Sequence, residues 1–64
     1  MDGSDGWLDV VGKRAKVIYE DTVNKAIVGR ITDYKDGFIE IRGDKGGTIL
    51  INIRKVISIA ILEG

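Results

Sequence analysis

Sixty-four residues with no cysteine and no histidine make one small domain, without disulfides, thiolate or imidazole metal sites, or nucleophile–imidazole catalysis. Ten basic against ten acidic side chains give zero net charge. That argues against a surface that grips nucleic acid everywhere, but not against a local basic patch repeated by symmetry.

A chain this short buries only about 60% of its unfolded surface and needs a further source of stability. With disulfides and metal gone, self-association is the source that is left. The acidic start, MDGSDG, lacks a basic-then-apolar leader, and no apolar run approaches the ~18 residues of a membrane span. The cytoplasm is therefore the expected compartment, and no membrane partner is expected. Eleven isoleucines with no glutamine or cysteine fit a heat-adapted source.

In chain order, residues 1–6 are rich in Gly, Ser and Asp and read as a flexible N-terminus, with a single domain over 7–64. Asp5 is placed to cap a short helix reaching about Val11, with Trp7, Leu8 and Val11 on one face and Gly12 at its C-cap. Lys13 to Glu20 alternates as a first strand, with Ala15, Val17 and Tyr19 on one side. Residues 21–25 form a polar turn. Ala26 to Tyr34 is a second strand, and Gly29 in its middle marks a bend or bulge. Lys35-Asp36-Gly37 carries Asp-Gly hairpin chemistry. Phe38 to Arg42 is a third strand, with Ile39 and Ile41 on one side. The loop Gly43–Gly47 reads as a hairpin connection rather than a phosphate cradle, because no helix N-terminus follows it.

The stretch Thr48 to Leu62 is the most informative. Ile49, Ile51 and Ile53 alternate with Leu50, Asn52 and Arg54, and after Arg54-Lys55 the alternation resumes as Ile57, Ile59 and Ile61. The opposite face of this fifth strand, Val56, Ser58, Ala60 and Leu62, is also mostly apolar. A strand apolar on both faces must be covered on both, and so small a chain has little left to cover the second. A second copy is the economical cover, so Ile49, Ile51, Ile57, Ile59 and Ile61 are the expected oligomer interface. The expected fold class is all-β: a short N-terminal helix followed by a strongly bent five-stranded antiparallel barrel.

Several segments, in this order and spacing, carry a resemblance to the Sm-like superfamily of Sm, LSm and bacterial Hfq proteins. These are Leu8 to Lys13 leading into Lys16-Val17, then Gly29-Arg30-Ile31-Thr32-Asp33-Tyr34, Lys35 through Ile41, and Ile53-Arg54-Lys55 directly before Val56-Ile57-Ser58-Ile59. The resemblance covers roughly Trp7 to Leu62. It implies a non-catalytic ring in which the fourth strand of one subunit pairs with the fifth of the next, and which binds single-stranded RNA or DNA. The departures fall on recognition residues. Lys35 stands where the family has an acidic residue after the aromatic, and Gly37 where Hfq has its stacking phenylalanine, with Phe38 adjacent. Ile53 and Lys55 replace Hfq's tyrosine and histidine, and the uracil-contacting asparagine of LSm proteins has no counterpart.

The expected nucleic-acid-binding residues are Asp36, Phe38, Arg54 and Lys55. Arg54 and Lys55 would supply phosphate attraction, and Phe38 a stacking surface. No carboxylates converge into a metal or acid–base site, and Ser4 and Ser58 have no histidine partner, so neither an enzyme nor a cofactor is expected. The alternative is a structural or protein-interaction barrel of SH3 or Sm shape without a nucleic-acid role, favoured by the zero net charge and the missing recognition residues.

Overall fold

The computed structural model describes residues 4–63. Its order is α1 (Ser4–Leu8), β1 (Arg14–Glu20), β2 (Asn24–Lys35), β3 (Phe38–Gly43), β4 (Thr48–Asn52), a 3-10 turn (Ile53–Lys55) and β5 (Val56–Glu63). Residues 1–3 of the segment expected to be flexible lie outside the described residues. The helix itself begins at Ser4, so it takes in Asp5 rather than starting after it.

The helix is only a short turn, drawn out by bonds from the amides of Asp9, Val10 and Val11 to the carbonyls of Gly6, Trp7 and Leu8. Gly12 closes it at a φ of 92°, and its amide bonds to the Ile31 carbonyl at 2.6 Å, which docks the turn onto β2. The docked face is Trp7, Val10 and Val11, whereas Leu8, expected on that face, is exposed. Tightening toward 3-10 geometry shifts the inward positions by part of a turn and brings Val10 in.

The five strands form one antiparallel sheet in the order β4-β3-β2-β1-β5. Alternation sets the core: Ala15 and Val17 from β1, Ile31 from β2, Ile39 and Ile41 from β3 and Ile51 from β4 are buried. Hairpin chemistry sets the β2–β3 register. Asp36 and Gly37 both adopt positive φ (55° and 80°), as a two-residue turn that matches strand twist requires, so Lys35 pairs with Phe38.

β2 serves two neighbours. Asn24–Arg30 pairs with β1 and Gly29–Lys35 with β3, so the hand-over falls at Gly29-Arg30, and a register shift follows between Ile31 and Asp33. Gly29 is buried at this crossover. A Cβ there would lie 2.3 Å from the Arg42 carbonyl oxygen and 2.8 Å from Gly43 Cα. The bend expected at Gly29 is thus a close approach of two backbones that any side chain would block.

Connectivity shows how far the sheet curls. β4 and β5 are its two edges, yet only Ile53–Lys55 separates them in sequence. In a flat sheet four strand spacings would put the edges about 19 Å apart, whereas the four Cα steps from Asn52 to Val56 reach at most about 14 Å when fully extended. The sheet therefore wraps round at this end. It does not close: among the described residues β4 and β5 form no ladder with each other, so the expected five-stranded barrel is an open, curled sheet with two free edges.

β5 departs from the simple alternation expected of it. Its pairing with β1 shifts between Ile18 and Tyr19 and again between Arg14 and Ala15, which leaves Ile57 and Leu62 without register partners. The first bulge turns Val56 and Ile59 onto the core and leaves Ile57 55% exposed, so Ile57 does not share a face with Ile59 as strict alternation would have it. Ile61, opposite buried Ala15, is 45% exposed.

Candidate nucleic-acid interface

Two turns meet at one end of the sheet. The amide of Ile53 bonds to the carbonyl of Gly37 at 3.0 Å, tying the β4–β5 turn to the β2–β3 hairpin. Asn52 caps the 3-10 turn, its side-chain oxygen accepting from the amide of Arg54 at 2.9 Å. Two turns sixteen positions apart in sequence are thereby joined, with Asp36 and Phe38 on one turn and its exit and Arg54 and Lys55 on the other.

Phe38 stands on the outer face of β3 and is 43% exposed. Its register partner is Asn52, and Leu50, 67% exposed, is its diagonal neighbour on the same face. On one side of Phe38 a cleft runs along the free edge of β4, lined by Tyr19, Glu20, Asp21, Ile49, Leu50 and Lys55 among others. On the other side lies a depression bounded by Asp33, Lys35, Asp36, Glu40 and Leu50. Phe38 and Leu50 form the apolar ridge between them. Of the four residues expected to bind, Phe38 borders both hollows, Asp36 one and Lys55 the other, while Arg54 is exposed on the turn and lines neither.

The local charge is mixed. Asp21 forms an ion pair with Lys25 at 3.0 Å, which holds its carboxyl below the ordinary carboxylate value, chiefly through the hydrogen bond. The alternation that put Ile49 and Ile51 inward also put Leu50 outward, beside Phe38. That was a readable signal for Leu50. Tyr19, Glu20 and Asp21 carried no such signal, because only the wrapping of the sheet brings the end of β1 to the edge of β4.

The five residues expected at the oligomer interface separate by burial. Ile51 is 4% exposed, and its side chain belongs to the chain's own core. Ile49 and Ile59 are half-buried, while Ile57 and Ile61 are open. Among the described residues, no group of three acidic, histidine or cysteine side chains is arranged to hold a metal ion, and no helix is long and apolar enough to cross a membrane. No protein-family model, curated protein or solved structure matches the chain.

Proposed function

We propose that the chain is an Sm-like ring subunit that binds single-stranded RNA or DNA without catalysis, using Asp36, Phe38, Arg54 and Lys55. The bond between Ile53 and Gly37 is the observation that carries this reading, because it gathers a stacking aromatic, a carboxylate and two cations at one end of the sheet. Phe38 supplies the platform for a base, worth about 1–3 kcal/mol per stacked base. Asp36 accepts from a base amine, and Arg54 and Lys55 attract phosphate. Ring formation is supported by the two free edges and by the apolar side chains left open beside them, Leu50 on β4 and Ile57 on β5. Pairing one edge to the other kind of edge is a head-to-tail contact, which closes into a ring when the rotation permits.

The test is the double variant Arg54→Ala/Lys55→Ala, titrated with a fluorescein-labelled oligonucleotide over a range of salt. Two lost phosphate contacts should weaken binding and flatten the slope of log K against log salt by about 1.4. Unchanged affinity and slope would remove both residues from the interface.

A structural or protein-interaction module without nucleic-acid binding is the second reading. The carboxylates of Glu20, Asp21, Asp33, Asp36 and Glu40 around the Phe38–Leu50 ridge favour it, since they repel a polyanion and would suit a basic peptide. Absence of oligonucleotide binding at micromolar protein and low salt would select it.

A further inference from the structure

The sheet register lines up three arginines on adjacent strands. Arg14 of β1 pairs with Arg30 of β2, and Arg30 pairs with Arg42 of β3. The residues next to them, Ala15, Gly29, Ile31 and Ile41, are buried, so the three guanidinium groups stand on the outer face. Neighbouring strands lie 4.7–4.9 Å apart, which gathers three positive charges within about 10 Å. Like charges directly opposite one another destabilise a sheet, so the row calls for counter-charge.

The chain provides part of it. Asp44, on the β3–β4 loop, accepts from Nε of Arg14 at 3.1 Å and also from its Nη2. Glu63, near the end of β5, lies 3.5 Å from Arg30, an ion pair rather than a close hydrogen bond. Arg30 donates instead to the Gly12 carbonyl. Arg42 has no acidic partner among the described residues. Both pairs are partly open to water, where such contacts are weak and readily exchanged.

We propose that this arginine row is a second phosphate-binding surface, taking the phosphodiester backbone of single-stranded nucleic acid, with Asp44 and Glu63 as the intramolecular anions it displaces. Guanidinium groups bind phosphate in a bidentate manner that lysine cannot reproduce. Phe38, Glu40 and Arg42 alternate along the outer face of β3, so the row lies four residues, about 14 Å, from the stacking aromatic on the same face. A strand seated on Phe38 can therefore continue along β3 to the row, past Glu40, whose carboxylate accepts from the Thr32 hydroxyl at 2.7 Å. The inference rests on the nucleic-acid reading above and extends its footprint.

The experiment compares four proteins by fluorescence anisotropy with a labelled oligo-U across salt concentrations: parent, Arg42→Ala, Arg54→Ala/Lys55→Ala and Glu63→Gln. Arg42→Ala breaks no ion pair among the described residues, and circular dichroism checks that the variant is folded. It should weaken binding and flatten the salt slope by about 0.7, one single-strand phosphate contact. Glu63→Gln should strengthen binding and steepen the slope, because it removes the negative charge beside Arg30. Inorganic phosphate at equal ionic strength should compete far less than an unlabelled strand. If phosphate competes equally well, the row is a small-anion site and the polymer proposal is overturned. If Arg42→Ala and Glu63→Gln both keep the parent slope while the turn variant flattens it, the row fails and the turn site stands. If only the row variants respond, the row stands and the turn site fails. A parent that does not bind overturns both.

Discussion

Gly29→Ala is the substitution whose outcome the geometry fixes most tightly. The added carbon would meet the Arg42 carbonyl oxygen at 2.3 Å, Gly43 Cα at 2.8 Å and the Arg42 carbonyl carbon at 2.9 Å. All three are backbone atoms of β3, so no side-chain rotation relieves the contact and the two strands must separate. Overpacking a core typically costs about 1–3 kcal/mol, and a backbone obstacle belongs at the upper end. At roughly 4–8 °C per kcal/mol for a domain of this size, about 3 kcal/mol lowers the melting temperature by about 12–24 °C. Gly43, the cross-strand partner of Gly29, is the internal control. A Cβ there meets nothing closer than 3.4 Å, so Gly43→Ala should shift the melt by only a few degrees. Thermal denaturation followed by circular dichroism reads both. Equal melting temperatures for the two variants would refute the close approach of β2 and β3 and the bend derived from it.

Ile57→Asp and Ile59→Asp should behave differently despite sitting two residues apart. Ile59 packs on the core, so an unpaired carboxylate there should unfold the chain, seen as loss of the strand signal in circular dichroism. Ile57 is an open bulge residue, so its aspartate variant should keep the strand signal but lose assembly by light scattering; an intact oligomer would remove Ile57 from the interface. The third prediction concerns acid. The hydrogen bond from Arg14 holds the Asp44 carboxyl below its ordinary value of 3.8. A carboxyl depressed on folding contributes stability that is present above the unfolded value and is lost as pH falls through the folded one. Asp44→Asn should therefore narrow its stability gap to the parent as pH drops below about 3.8, measured by urea denaturation; a gap constant with pH would show that the pair does not stabilise the fold.

Much of this fold was readable from side-chain periodicity. Ala15/Val17, Ile39/Ile41 and Ile49/Ile51 alternate cleanly, and Asp36-Gly37 fixes one hairpin without ambiguity. The β5 bulges were not readable, because Ile57, Ile59 and Ile61 are the same residue and composition cannot say which of them steps out of register. Leu8 was placed inward by a 3.6-residue period, whereas the segment after it tightens toward three residues per turn. The meeting of Phe38 and Lys55 depends on the Ile53–Gly37 bond between segments far apart in sequence, so only the resemblance suggested it. The arginine row lay beyond sequence reasoning altogether, since Arg14, Arg30 and Arg42 become neighbours only through strand register.

Absolute molar mass in solution, by light scattering coupled to size exclusion, tests ring assembly most directly. Edge-to-edge closure of β4 on β5 requires a single species of several copies of the 7.0 kDa chain, its mass independent of concentration over the working range. A mass of one copy, or of two, that persists at high concentration would leave both edges without their proposed partners and contradict the ring.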